Sequence, residues 1–84
     1  MRVEFFGLSR ERAGVAEIEL QVDTLGQLFG VLAARFPSLG DLIGVDHLSA
    51  ALVANLNGDQ FVSDPALRLG QDDRVLILSA DAGG

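Results

Sequence analysis

The sequence contains no cysteine and a single histidine, His47. Without cysteine the chain cannot form disulfides, thiolate metal sites or a thiol nucleophile, and one histidine cannot supply a cluster of imidazole ligands. Lysine is also absent, since all six basic residues are arginine. The chain therefore offers no side-chain amine for Schiff-base chemistry or for receiving an isopeptide bond. Most side-chain catalysis is excluded, and we expect no metal site.

The charge balance limits the partners of the chain. Twelve acidic residues oppose six basic ones, and the net charge of −6 disfavours binding to phosphate backbones. We therefore expect no nucleic-acid partner. No apolar run resembles a secretory signal or approaches the ~20 residues of a membrane span. We expect no membrane partner and a cytoplasmic location.

The first quarter of the chain shows two period-2 patterns. Val3 and Phe5 alternate with polar neighbours, and a second alternation runs over residues 17–22. These patterns predict two strands, joined by a long charged connection over residues 8–16 in which Gly14 supplies the turn. Acidic residues on the outer side of the second strand indicate that it lies at or near the edge of a sheet.

The hydrophobic period then changes from 2 to 3.6. Thr24 followed by Gln27 is typical of a capping box, and apolar residues form one stripe over residues 25–36. The pattern predicts a helix over 25–36 that ends because Pro37 disfavours helical geometry at the residue before it. Two glycines four residues apart in this helix indicate a close approach to the sheet: Gly26 and Gly30.

The second half of the chain predicts a strand that starts at residue 52 and ends at Asn57-Gly58, followed by strands over residues 60–62 and 75–80. The first two are joined by Asn57-Gly58, a pair suited to a hairpin turn with positive φ. The last strand is mostly apolar, so we expect it at the centre of the sheet. The fold class is α+β: a mixed four- to five-stranded sheet with one main helix packed on one face.

The carboxyl-terminal residues follow directly on the last strand. Residues 1–80 are expected to form one domain and residues 81–84 a flexible tail that ends in Gly83 and Gly84. A frayed terminus is one interpretation. The other is that the terminal carboxylate is the reactive group, because two glycines carry no side chain and can enter a narrow channel.

The face of the sheet opposite the helix is a candidate partner site. Alternation places Phe6 opposite Phe5, and places Leu78 with its apolar neighbours on the same outer face, where Phe61 could join them. Exposed apolar clusters often mark partner sites, although a small second core beneath the loops is an alternative. His47 beside Asp46 is expected at the surface, and Asp72-Asp73 in a solvated corner.

Several short motifs, taken together in their order along the chain, resemble those of the ubiquitin-like β-grasp sulfur carriers of the MoaD/ThiS family. The nearest branch is that of the molybdopterin synthase small subunit. The resemblance covers essentially the whole chain. The segments that carry it are VEFFG at 3–7, RERAG at 10–14, FP at 36–37, NG at 57–58, LGQDDRV at 69–75 and GG at 83–84.

This resemblance implies a co-substrate that binds no cofactor itself and is not an enzyme. A ubiquitin-activating-type enzyme would adenylate the carboxylate of Gly84 with ATP, and a thiocarboxylate would follow. The sulfur would then pass to a pterin precursor on the large subunit of molybdopterin synthase. The docking positions implied by the motifs are Phe6, Phe61 and Leu78.

The chain departs from the molybdopterin-type pattern at residues 79–82. These read Ser-Ala-Asp-Ala, where such tails commonly carry prolines. Carriers for thiazole, cysteine or other sulfur-containing products therefore remain open. So do a protein modifier that is joined to lysines of other proteins, and a ubiquitin-like adaptor that binds without reacting.

Overall fold

The computed structural model describes residues 1–44 and 46–83. In this part of the chain it contains five strands, three α-helices and one 3-10 helix. In chain order the elements are β1 (Arg2–Phe5), α1 (Leu8–Ala13), β2 (Glu17–Glu19), α2 (Leu25–Arg35), the 3-10 helix (Pro37–Leu39), β3 (Leu52–Leu56), β4 (Gln60–Val62), β5 (Arg74–Ser79) and α3 (Ala80–Gly83).

The strands form one mixed sheet in the order β2-β1-β5-β3-β4. β5 pairs in parallel with β1 and antiparallel with β3, so the apolar last strand is central, as its composition predicts. β2 lies at one edge, as its acidic outer side predicts. The five-stranded mixed sheet with one main helix confirms the predicted α+β fold class.

The hydrophobic core lies between α2 and one face of the sheet. The alternation that predicts which side chains point inward is confirmed in β1 and β5, whose inward residues are at most 1% exposed. Phe5 also meets the ring of Phe36 edge-on, with centroids 5.5 Å apart. The main contributors are Val3, Phe5, Val75 and Ile77 from the sheet and Leu25, Leu28, Phe29 and Leu32 from α2.

Helix α2 begins at the predicted cap. The hydroxyl of Thr24 accepts a hydrogen bond from the Gln27 N–H at 3.2 Å. The Gln27 side chain bonds back to the N–H of Asp23 at 2.8 Å, one residue earlier than in a standard capping box. The helix ends at Arg35, because Phe36, which precedes Pro37, has already left helical geometry.

The connection after β1 differs from the predicted polar loop, because residues 8–13 form helix α1. The helix is short and only Ser9 in it is buried, so it leaves no apolar stripe in the sequence. Gly14 ends it in the left-handed conformation with φ 77°. Strand β2 is also shorter than its alternation predicts, since regular pairing stops at Glu19.

Two further local predictions need correction. A Cβ at Gly26 would lie 3.0 Å from the Cβ of Pro65, and the Gly26 N–H donates to the Pro65 carbonyl at 2.9 Å. Gly26 therefore lies close to the turn around Pro65, which follows β4, and not to the sheet. The last strand spans Arg74–Ser79 and not residues 75–80, because Ala80 begins α3.

The hairpin between β3 and β4 is confirmed. Asn57 and Gly58 both have positive φ, 58° and 76°, and β4 has the predicted bounds Gln60–Val62. Glycine adopts this conformation without steric cost and asparagine with little, which is why this pair specifies the turn.

Candidate functional site

The face of the sheet opposite α2 carries an apolar row at the end where β5 leaves the sheet. Phe5 pairs with Ile77, so Phe6 and Leu78, the next residues, lie side by side. Leu78 pairs in turn with Val53 of β3. We call Phe6, Leu78 and Val53 the apolar row. Phe6 is 36% exposed and the other two are half-buried, so the row is open to a partner.

A second row crosses the middle of the same face. Leu76 pairs with Glu4 on one side and with Asn55 on the other, and Asn55 pairs with Phe61 at the edge strand. Phe61 is 59% exposed, the most exposed large apolar side chain among the described residues. Asn55 is only 8% exposed, and its Oδ1 has no hydrogen-bond partner among these residues.

Charged residues occupy the opposite end of this face and pair with one another. Arg2 lies 3.2 Å from Glu17 and 3.8 Å from Glu19, and the Nε of Arg74 lies 3.1 Å from a carboxylate oxygen of Glu4. These pairs neutralise much of the local charge. The face therefore divides into a self-paired charged end and an apolar end that adjoins the carboxyl-terminal segment.

The predicted docking residues share this face but not one row. Phe6 and Leu78 are neighbours in the apolar row, whereas Phe61 lies in the middle row on β4, beyond β3. Phe61 also borders a cavity of about 270 Å³ that reaches around the sheet edge toward Phe29 and His47. A partner that contacts all three predicted residues must cover β1, β5, β3 and β4.

The end of β5 is held by hydrogen bonds on both sides. The Oγ of Ser79 accepts from the N–H of Leu8 at 2.9 Å, and the N–H of Ala80 donates to the carbonyl of Ala51 at 2.9 Å. Deeper in the same region the hydroxyl of Ser9 is fully buried and donates to the Ile77 carbonyl at 2.9 Å. The carboxyl-terminal segment thus starts from a fixed base.

Sequence reasoning missed these two serines. Ser9 looks like part of a polar loop and Ser79 like the end of a strand, and no nearby base marks either of them. The one local signal is Gly7 between β1 and α1, whose φ of 59° is costly for residues with a side chain. Their contacts join segments some 70 residues apart in the chain, so spacing could not reveal them.

The predicted reactive end is described only in part. Gly83 is the last residue of α3, and Gly84 lies outside the described residues. The structure therefore places the start of the segment beside the apolar row and leaves the role of Gly84 as a prediction.

His47 lies at the surface, as expected. Its imidazole is 72% exposed, and Nδ1 lies 3.2 Å from the carboxylate of Asp46. None of the described serines lies within hydrogen-bond distance of the ring. The pair shows no arrangement for nucleophilic catalysis.

The Asp72-Asp73 corner is a structural turn. Asp73 accepts hydrogen bonds from the N–H of Gly70 at 2.7 Å and from the amide of Asn57 at 3.0 Å. The Gly70 bond, followed by the Asn57 bond, lowers the pKa of Asp73 below its ordinary value because both stabilise the charged form. The carboxylate links the corner before β5 to the β3–β4 hairpin.

The described ranges, 1–44 and 46–83, contain neither a metal-binding cluster nor a membrane-spanning helix. No three histidine, aspartate or glutamate side chains there come together as a metal-binding group. None of the helices in these ranges has the length and apolar character needed to cross a membrane.

The fold and its outer face define a ubiquitin-like β-grasp protein with an apolar row next to the carboxyl-terminal segment. No family model matches the chain, and no curated protein matches it. Solved structures do match. The solution structure of small archaeal modifier protein 1 from Methanosarcina acetivorans has a TM-score of 0.78 and 21% identity, covering 99% of this chain and 94% of that one.

Two further structures give similar values. A chain of the Amycolatopsis orientalis BexX/CysO complex matches with a TM-score of 0.76 and 20% identity, over 99% of this chain and 98% of that one. A candidate molybdopterin converting factor subunit 1 from Pyrococcus furiosus matches with a TM-score of 0.73 and 23% identity, over 93% of both chains. The resemblance seen in the sequence motifs thus extends to the fold.

Proposed function

We propose that this chain is a sulfur carrier and that its reactive group is the carboxylate of Gly84. A ubiquitin-activating-type enzyme binds the apolar row and adenylates the Gly84 carboxylate with ATP. The observation that supports this most directly is the position of the apolar row, which ends where β5 passes into the segment that leads to Gly84. An enzyme that is docked on the apolar row would therefore have the carboxyl-terminal segment directly beside it.

The chemistry needs only the main-chain carboxylate. One carboxylate oxygen attacks the α-phosphorus of ATP, the bond to the leaving pyrophosphate breaks, and an acyl adenylate forms. Sulfide then attacks the acyl carbon, the bond to AMP breaks, and a thiocarboxylate remains. The chain itself has no cysteine and no lysine, so none of its side chains competes as a thiol or amine acceptor for the activated carbonyl.

We propose molybdopterin synthesis as the pathway, with the large subunit of molybdopterin synthase as the sulfur-accepting partner. The similarity to the candidate molybdopterin converting factor subunit supports this choice. In this role the chain supplies sulfur and a docking face, and the large subunit supplies the catalytic residues.

A second candidate function is protein modification. It is favoured by the similarity to small archaeal modifier protein 1 and begins with the same adenylation. Only the acceptor differs: a lysine amine of another protein in place of a sulfur nucleophile. A carrier for cysteine or thiazole synthesis would be charged with sulfur as described above and would differ only in the compound that receives the sulfur, and the match to a chain of the BexX/CysO complex is compatible with it.

The test is charging of the purified chain by a panel of ubiquitin-activating-type enzymes. With ATP and a suitable enzyme we expect pyrophosphate exchange. After addition of sulfide we expect a mass gain that corresponds to one oxygen replaced by sulfur. Deletion of Gly84 is the matched control and should abolish both signals. Absence of charging by every enzyme of the panel would contradict the proposal.

The acceptor is identified in a second step. The thiocarboxylate form is mixed with molybdopterin synthase large subunit and precursor pterin, and in parallel the uncharged chain is mixed with cell lysate and ATP. Sulfur transfer to the pterin supports the molybdopterin pathway. Conjugates on lysines that disappear with the Gly84 deletion support the modifier instead.

A further inference from the structure

The first turn of α1 is capped by a residue from the far end of the chain. Gly7, the N-cap residue, has no side chain to satisfy the free N–H groups of the helix start. The Oγ of Ser79, 71 residues away, accepts the N–H of Leu8 at 2.9 Å. The last residue of β5 therefore performs the capping that local sequence would ordinarily supply.

Gly7 and Ser79 fit together closely. A Cβ at Gly7 would lie 2.4 Å from the Oγ of Ser79, inside van der Waals contact. Gly7 also has a φ of 59°, which a side chain would disfavour. The absence of a side chain at Gly7 thus makes room for the Ser79 hydroxyl in the position from which it reaches Leu8.

The same hydrogen-bonded unit includes the docking residue Phe6. The N–H of Phe6 donates to the Ile77 carbonyl at 3.0 Å and to Ser9 Oγ at 3.2 Å. Ser9, fully buried, donates to the same Ile77 carbonyl. The backbone of Phe6 and the base of the carboxyl-terminal segment therefore belong to one hydrogen-bonded junction between β1, α1 and β5, which we call the Ser79 junction.

We propose that Ser79 is a positioning residue for the charging of Gly84, an inference that rests on the function proposed above. Its hydroxyl fixes the direction in which the segment after β5 leaves the apolar row. A docked enzyme then meets the carboxylate within a narrow range of positions, which raises the effective concentration of the reacting group. Ser79 touches neither ATP nor the reacting atoms.

The variant Ser79→Ala removes the hydroxyl and leaves the docking residues in place. We expect kcat for pyrophosphate exchange to fall, by a factor of the order of ten, because the carboxylate samples more positions after docking. KM for the carrier should stay unchanged, because Phe6, Phe61 and Leu78 still bind. The Leu8 amide should also exchange its hydrogen faster once its acceptor is lost.

A matched control is Thr24→Ala. It likewise removes one hydroxyl that caps a helix, since Thr24 Oγ1 accepts the N–H of Gln27, but it lies at the start of α2 and outside the Ser79 junction. A purely structural role of Ser79 predicts the same kinetics for both variants. The positioning role predicts a lower kcat for Ser79→Ala alone.

A second variant, Leu8→Pro, covers the case in which Ser79→Ala does not fold. It removes the N–H that Ser79 Oγ accepts, at the first position of α1 where proline is tolerated, and the same fall in kcat is expected. Circular dichroism at the assay temperature shows which variants are folded.

Equal kcat and KM in Ser79→Ala and Thr24→Ala would overturn the positioning role while the carrier function stood. A rise in KM alone would also overturn it, because Ser79 would then act on docking. If no enzyme charges the unaltered chain, the proposed function fails, and the inference fails with it.

Discussion

At the scale of single residues, Asp73 links stability to pH. Its folded-state pKa is lowered, chiefly by the Gly70 N–H and then by the Asn57 amide. A lowered folded pKa means that the contribution to the free energy of unfolding is fully present above the unfolded value of about 4, and is lost as pH falls through the folded value. Protonation of one turn carboxylate should therefore weaken the fold in acid.

The prediction concerns Asp73→Asn. At about pH 7 it should lower the free energy of unfolding, and the difference from the unaltered chain should shrink as pH falls below about 4. Urea unfolding at a series of pH values measures it. Asp72→Asn removes the same charge from the exposed neighbouring residue, and should show a smaller difference at neutral pH. Equal curves for the two variants would mean that net charge, and not the turn, sets the effect.

Sequence reasoning succeeds for residues whose partners are near in the chain. Asn57-Gly58 and the Thr24 cap are predicted because the chemistry that fixes each lies within three residues. The Ser79–Leu8 bond joins residues at opposite ends of the chain and leaves no local pattern. The burial of Asn55, whose Oδ1 has no hydrogen-bond partner among residues 1–44 and 46–83, is equally hard to predict, because it depends on two strands that pair only in the folded sheet.

At the scale of elements, helix α2 depends on its amino-terminal cap. Thr24→Ala leaves the Gln27 N–H without its acceptor and should lower the free energy of unfolding by roughly 1 kcal/mol. Thermal or urea unfolding measures this. Gln27→Ala is the comparison, since it removes only the bond back to the Asp23 N–H at the exposed helix start. If Gln27→Ala lowered the free energy of unfolding more than Thr24→Ala does, the side-chain amide of Gln27 would be the main cap of the helix.

Elements with a strong hydrophobic period are predicted well, and short ones are not. The alternation in β1 and β5 and the stripe in α2 follow from burial of one face, and the structure confirms them. In β3 the alternation holds only in part, because the outward Asn55 is buried as well and Leu56 is half-buried. Helix α1 buries only Ser9, so its residues resemble a loop until their contacts with β5 and the 3-10 helix are known. The Arg12 guanidinium, for example, bonds the Ser38 carbonyl and Asp41 across that contact.

At the scale of the whole molecule, the two faces of the sheet differ in burial and in the chemistry of their side chains. The face against α2 holds the inward side chains of β1 and β5, which are almost fully buried, and supplies most of the stability. The opposite face combines self-paired charges with an open apolar row. Stability and partner binding should therefore be separable by substitutions at adjacent residues.

Phe5 and Phe6 give the sharpest separation, because they are neighbours in the chain and point to opposite faces. Phe5 is 1% exposed and packs against Phe36, so Phe5→Ala should cost about 3 to 5 kcal/mol of the free energy of unfolding. Phe6 is 36% exposed, so Phe6→Ala should cost far less stability but raise KM in the charging assay.

A domain of this size has a total stability of only about 4 to 13 kcal/mol, so the loss expected for Phe5→Ala is a large part of the total, and Phe5→Leu serves as the milder variant. It should lower the unfolding midpoint while KM for the carrier stays constant, since the apolar row is unchanged. The two measurements together assign each ring to its face. If Phe6→Ala unfolded readily but bound the enzyme normally, Phe6 would be a core residue and not a docking residue. The apolar row would then play no part in the proposed function.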